Sequence, residues 1–253
     1  MECVRLRRPL LCINPLQSTS PVTMELLPFQ QAITTNGWAV TEPVIDAPTI
    51  ATLRDSVAPL ARSGRGGVRN LLDEPRIAAL AASPTIRQFA AAVLGDSCFA
   101  VRALFFDKTP NANWKVVWHQ DLTVTTQRRV EVAGYGPWTE KAGVPHVQPP
   151  IDILEHMLAV RLHLDPCSVD NGPVRVIDGT HCLGRLAPEA IDRIRTEQSE
   201  SMCLAAEGAV LAFRPLLLHA SSPAVRPAHR RVVHIEYAAR LLAPPLAWHR
   251  QVA

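Results

Sequence analysis

Residues 114–121 read WKVVWHQD, and the last four, Trp118-His119-Gln120-Asp121, decide how the rest is read. The run up to His119 is short and rich in Val and Trp, which suits a strand. Successive side chains on a strand alternate between its faces, so His119 and Asp121 point the same way. An imidazole and a carboxylate placed like that converge on one point and can share a metal. A third ligand must come from elsewhere in the chain. The best candidate is His219 in Leu216-Leu217-Leu218-His219-Ala220-Ser221, where it ends an apolar run expected to be a buried strand.

Outward from this triplet, the second half of the chain reads as short strands separated by turn residues: 98–106, 114–119, 157–164, 174–177, 208–213 and 231–239. Asp170-Asn171-Gly172 is a strong tight-turn signal before Val174. The stretch 125–150, with Gly134, Gly136, Trp138 and Pro149-Pro150, reads as a long irregular loop, and a loop of that length inside a domain is usually functional. The segment 24–97 reads as mainly helical. Asp46 can cap a helix on which Ile50, Leu53, Val57 and Leu60 recur at helical spacing. Ser83-Pro84 starts another that carries Ile86, Phe89 and Val93 and ends at Gly95. Residues 63–70, SGRGGVRN, form a glycine-rich loop between helical segments. Helices followed by many short strands predict an α+β chain: a double-stranded β-helix, or jelly roll, over 98–240, with the N-terminal helices packed on one sheet. The reading takes 24–253 as a single domain and 1–23 as a poorly ordered extension. There is no GxGxxG after a strand and no GxxxxGK[ST], which argues against a nucleotide fold.

Composition excludes several classes. At 253 residues, 47% hydrophobic and 19% charged, the chain can bury a core without staples. A net charge of +3 is too mild to argue for nucleic acid. Only Lys108, Lys115 and Lys141 are lysines among 26 basic residues, so a single arginine carries little signal unless its position is special. The six cysteines (3, 12, 98, 167, 182 and 203) form no CxxC pair and read as reduced thiols. No apolar run approaches a membrane span, and the short N-terminal apolar stretch lacks a cleavage site, so cytoplasmic residence is expected.

Two histidines and one carboxylate on one face of an octahedron leave three positions open, which suits non-haem Fe(II) oxygenases. A His-X-Asp triplet is short enough to arise by chance, and a lone buried histidine is more often a satisfied core residue. Two further residues weigh against chance. Arg230 lies eleven positions after His219 and Ser221 lies two after it. If 222–229 turns the chain into the next strand, both come near the metal. An arginine fork with a hydroxyl beside it can hold the far carboxylate of a chelating 2-oxo acid. Arg231 is the neighbouring alternative, and strand alternation allows only one of the two to serve.

With these residues in place, the chain resembles the phytanoyl-CoA dioxygenase family of Fe(II)/2-oxoglutarate-dependent oxygenases. The resemblance runs from about residue 35 to about 239 and rests on WHQD at 118–121, DNGPVRVIDGTH at 170–181 and LLLHASSPAVRPAHRR at 216–231. It implies that His119, Asp121 and His219 are the iron ligands, Arg230 the grip on the distal carboxylate of 2-oxoglutarate, and Ser221 its hydroxyl partner. It also implies a jelly-roll enzyme that takes O2 and hydroxylates an unactivated C–H bond of a small molecule, releasing succinate and CO2. Leu104 falls at an apolar cosubstrate contact, and Arg161 falls where relatives that use long acyl substrates carry a tryptophan. That arginine weakens any transfer of the acyl-CoA substrate. Asp178 and Thr180 depart from the family's usual Pro and Ser and read as loop changes. Halogenases of the family lack the carboxylate ligand, so Asp121 favours hydroxylation.

Other residues carry a bland reading beside the functional one. His163 and Arg161 share a strand face and either line the pocket or satisfy each other's surroundings. His181 serves loop structure. Arg69 and Asn70 touch substrate or cosubstrate, or simply the surface. Trp138, His146 and Gln148 are substrate contacts or loop packing. His156 and His234 read as ordinary half-buried residues. Two other functions fit part of the pattern: a non-catalytic jelly roll that binds metal or 2-oxoglutarate, and a zinc hydrolase using the same triad. The second leaves Arg230 without a task.

Overall fold

A computed structural model describes residues 26–60 and 67–253. The expected extension 1–23, and part of the glycine-rich stretch, lie outside them. Helices α1 (Leu26–Thr35), α2 (Ala47–Val57), α3 (Pro75–Ala82) and α4 (Pro84–Leu94) are interleaved with strands β1 (Trp38–Val40) and β2 (Gly67–Val68). Strands β3 (Phe99–Lys108), β4 (Val116–His119), β5 (Val124–Thr125), β6 (Trp138–Lys141) and β7 (Val144–Val147) follow. Helix α5 (Ile151–Glu155) leads into β8 (Met157–His163) and β9 (Val174–Val176). Helix α6 (Pro188–Glu197) precedes β10 (Ser201–Cys203), β11 (Val210–Phe213), β12 (His219–Ser221) and β13 (Arg230–Ala238).

The strands form a six-stranded sheet in the order β1-β11-β8-β13-β3-β2, a four-stranded sheet β10-β9-β12-β4, and a small sheet β5-β7-β6. This is the expected jelly roll. Period-two alternation sorts each long strand of the large sheet. Ala103 and Phe105 of β3, Val160 and Leu162 of β8, and Val233 and Ile235 of β13 join the core beneath the helices. That core is closed by Phe29, Ile33, Ile50, Val57, Ile77, Ile86 and Phe89 from α1 to α4. The intervening residues, Leu104, Arg161 and His234 among them, face a cavity toward the four-stranded sheet. Helix α6 sits elsewhere: its Ile194 packs with Ile177 and Leu218.

Local signals behave as their chemistry dictates. Asp46 caps α2 by accepting from the Thr49 amide at 2.8 Å. Gly95 ends α4 with φ +89°, a conformation glycine adopts without strain. Ser83 occupies the N-cap of α4, yet its hydroxyl donates to the Leu80 carbonyl at 2.7 Å, closing α3 instead. Among the described residues no single helix is long and apolar enough to cross a membrane. Cys98, Cys167, Cys182 and Cys203 are free thiols.

Two expectations are corrected. The segment 125–150 is no irregular loop, because β6 and β7 form a hairpin that pairs with β5. Its strand residues Trp138-Thr139-Glu140-Lys141 lack an apolar alternation, which hid it. Within 24–97, the short strands β1 and β2 accompany the four helices and supply the two edges of the large sheet. Leu216–Leu218 is a buried turn, and the strand begins at His219 rather than ending there. The run is apolar because the turn is sealed in the core, not because it is extended.

Candidate functional site

Strands β4 and β12 are antiparallel neighbours, and their register sets His219 directly opposite His119. The imidazole centroids lie 4.2 Å apart. Asp121 follows β4, its amide donating to the Pro215 carbonyl at 2.8 Å. One carboxylate oxygen lies 3.6 Å from His119 Nε2 and the other 3.7 Å from His219 Nε2. The Nδ1 atoms of His119 and His219 are each 2.8 Å from a backbone carbonyl, of Val117 and Leu217 respectively. Those carbonyls hold the proton on Nδ1 and leave both Nε2 lone pairs facing Asp121. One ligand atom from each of the three residues lies within 4.8 Å of the others. Burial pulls His219 down to about 4, against the pull of Asp121. Burial also raises Asp121, but the His119 contact and the charges of His219 and His119 outweigh it and hold the carboxyl well below the usual range.

The loops around this trio are pinned by side chains. Gln120 donates to the carbonyls of Gly184 and Leu216 and accepts from the Leu186 amide. Thr180 Oγ1 accepts from the Leu218 amide at 2.9 Å, one residue before His219. Asp178 accepts from the Trp38 indole at 2.8 Å. The departures at 178 and 180 are thus in loop structure, as the sequence suggests.

The trio opens on a cavity of about 110 Å³. Leu104 and Arg161 line it, as do Ser221 and Arg230. Arg230 is 2% exposed, and its Nε and Nη1 have no partner. Arg231 turns the other way and grips Asp165 with Nε at 2.8 Å and Nη2 at 2.7 Å. With Arg231 held by Asp165 on the opposite face, Arg230 is the one that faces the cavity. Arg161 sits 5.5 Å over the Phe106 ring, with its Nε unpartnered. Burial lowers it to about 10, and the Arg230 charge adds to that. Neither arginine pairs with a carboxylate among the described residues.

Some lining residues were not legible beforehand. Lys108 is fully buried and directly opposite Arg230 across β3 and β13. Its ammonium donates to Ser221 Oγ at 2.8 Å and to the Ser222 carbonyl. His234 is buried, not half-buried, and lies 3.3 Å from Glu236, which also meets Arg102 at 3.3 Å. Trp138, His146, Gln148, His181, Arg69 and Asn70 are not among the residues lining this cavity. Asn70 instead donates to the Ala142 carbonyl at 3.3 Å. His156 is half-buried on the Asp152 carbonyl, as read.

Gly172 has φ +73°, and a Cβ there would stand 2.6 Å from the Ser222 carbonyl oxygen and 2.9 Å from Lys108 Nζ. Gly172→Ala is expected to cost at least about 1–2 kcal/mol from the backbone alone, lowering the melting temperature by several degrees. A variant that melts like the wild type contradicts this.

His163 shares the Arg161 face but is sealed, with neither ring nitrogen partnered. Burial, then the charges of Arg161 and Arg230, depress it to about 3. The unfolded chain therefore takes up the proton first, and stability falls as pH drops below the ordinary histidine value of about 6.5. His163→Leu should flatten the loss of urea stability between pH 7 and 4, whereas an unchanged acid profile excludes His163 as its source.

A family model for phytanoyl-CoA dioxygenase matches residues 33–232. The chain belongs to the phytanoyl-CoA dioxygenase family. All three sequence motifs, and every residue of the trio and the Arg230 end, fall inside the segment matched to that family. No curated protein matches the chain in sequence. Solved structures share its fold. AviO1 from Streptomyces viridochromogenes Tue57 is 21% identical, with a TM-score of 0.64 over 88% of this chain and 98% of that one. EctD from S. alaskensis with bound Fe is 19% identical, with a TM-score of 0.64 over 86% and 79%. The epimerase SnoN in complex with Fe3+, alpha ketoglutarate and nogalamycin RO is 15% identical, with a TM-score of 0.63 over 84% and 83%.

Proposed function

We propose that this family member is an Fe(II)- and 2-oxoglutarate-dependent oxygenase that hydroxylates a C–H bond of a small molecule. The observation that carries the proposal is the convergence of two oriented Nε2 lone pairs and a carboxylate beside an orphaned, buried Arg230. The donor set fits iron: two neutral imidazoles and one carboxylate, with the other side open to the cavity. Arg230 fits a carboxylate of the cosubstrate, since its Nε and Nη1 are unpartnered and it lines the same cavity as the trio. Iron bound there would couple oxidative decarboxylation of 2-oxoglutarate to oxygen activation, giving succinate and CO2.

The protein's part is positional. His119, Asp121 and His219 hold the metal, and the Val117 and Leu217 carbonyls keep both rings in register. Arg230 fixes the cosubstrate's distal carboxylate, and Leu104 and Phe106 supply apolar wall that excludes water. Arg161 and Lys108 add further buried positive charge, which favours a dianionic cosubstrate over a neutral one. A cavity of about 110 Å³ is well below the roughly 300–1,000 Å³ of an ordinary ligand pocket. It suits the cosubstrate, so the substrate sits at the mouth. Arg102 lines the cavity, paired with Glu236, and Arg69 and Lys141 lie near enough to feel its charge. That cationic rim favours a substrate with an anionic group.

Succinate release tests the reading. Wild type given Fe(II), 2-oxoglutarate and O2 should form succinate slowly alone and faster with a matching anionic small molecule, and His219→Ala should form none. Zinc-supported hydrolysis that ignores 2-oxoglutarate would replace this account with the hydrolase, and cosubstrate binding with no succinate would replace it with the binding protein.

A further inference from the structure

The register that sets Lys108 opposite Arg230 across β3 and β13 also sets Arg102 opposite Glu236. The two couples lie six residues apart on each strand, roughly 20 Å at the rise of an extended chain. All four residues line the cavity. A five-carbon diacid is far shorter than that span. A cosubstrate held at Arg230 therefore leaves Arg102 and Glu236 unused.

Glu236 is buried, and with Asp121 it is one of two carboxylates lining the cavity. Its ion pair is unfinished. Arg102 Nη1 and His234 Nε2 both approach the same oxygen, Oε1, each at 3.3 Å. Charge-assisted hydrogen bonds run about 2.7–2.9 Å. Oε2 has no partner among the described residues, and His234 Nδ1 is orphaned as well. The structural pair on the same strand is built differently: Arg231 takes both oxygens of Asp165, at 2.8 and 2.7 Å. Arg102 and Glu236 thus keep an acceptor oxygen and several guanidinium N–H groups for a ligand. Burying such a pair is costly unless something completes it. Arg69 and Lys141 add positive charge beside it.

We propose that Arg102 and Glu236 are the substrate's binding pair, taking the carboxylate and the ammonium of an α-amino acid. This rests on the oxygenase reading above and names its substrate class. Both charged groups of an α-amino acid sit on one carbon, so they can meet neighbouring partners of opposite charge together. The guanidinium forks onto the carboxylate, Glu236 Oε2 accepts from the ammonium, and His234 is a positioning residue for Glu236. Leu104, next on the cavity face of β3, gives apolar wall to the substrate's side chain. A purely anionic substrate would leave the second oxygen of Glu236 idle.

Calorimetric titration of the protein loaded with Fe(II) and 2-oxoglutarate, without oxygen, tests the proposal. The probes are the standard L-amino acids and, for any that binds, the carboxylic acid that lacks its amine. Wild type should bind at least one amino acid, and should bind the amine-free acid about 10- to 100-fold more weakly. Glu236→Gln should weaken the amino acid by a similar factor without weakening the amine-free acid. Arg102→Met should weaken both. The two probes compared on wild type stand by themselves should a variant fail to fold. The proposal is overturned if no standard amino acid binds, or if the amine-free acid binds as tightly as the amino acid. It is also overturned if Glu236→Gln weakens both probes alike, or if Arg102→Met spares both. Wild type that takes up no 2-oxoglutarate at the loading step refutes the oxygenase reading itself, before any amino acid is added.

Discussion

Asp121→Ala is expected to abolish succinate formation and weaken Fe(II) binding by more than about 100-fold, since loss of even an outer-shell partner costs 10- to 100-fold. Asp121 is the only carboxylate within reach of both Nε2 atoms among the described residues, at 3.6 and 3.7 Å. No neighbouring acid substitutes for it: Glu236 is held by Arg102 and His234. The fold should survive, because the Asp121 amide, not its side chain, ties the segment to Pro215. Metal titration of a variant with a wild-type melting temperature isolates the ligand role. Undiminished iron affinity there would remove Asp121 from the trio.

Arg230→Ala is expected to raise the 2-oxoglutarate requirement by two orders of magnitude or more while leaving iron affinity nearly unchanged. Each hydrogen bond to a charged group contributes about 1.5–3 kcal/mol, and Arg230 has two buried N–H-bearing nitrogens without partners. Loss of a fork that grips a carboxylate therefore falls on cosubstrate affinity. Arg231→Ala makes the contrast. It strips Asp165 of two side-chain hydrogen bonds at 2.8 and 2.7 Å, so it should lower stability and leave cosubstrate affinity intact. The two variants differ by one position in sequence and by a whole sheet face in space. A cosubstrate defect in Arg231→Ala, with none in Arg230→Ala, would reverse the assignment.

The candidate metal trio was legible because its logic is local. Strand alternation aligns His119 with Asp121, and a buried run points to His219. Alternation also narrows the arginine to one of two neighbours, but it gives parity and not direction. Only the Asp165 contact of Arg231 settles which one faces inward. Lys108 was out of reach for a different reason. It lies 113 residues from Ser221 and in the other sheet, so what joins them is the packing of one sheet on the other, which no local pattern encodes. His234 was misjudged because burial of a polar strand residue depends on what covers it. The β6–β7 hairpin was read as loop because β6 is largely polar, β7 carries a proline, and each is only four residues long.

The most direct test of the central claim is an anaerobic titration of metal-free protein with Fe(II) and then 2-oxoglutarate, watched for the weak visible charge-transfer band of a chelated keto acid. The account predicts a band in the wild type, none in His219→Ala, and one in Arg230→Ala that needs far more cosubstrate. Iron bound without any band, or no iron bound at all, would contradict it.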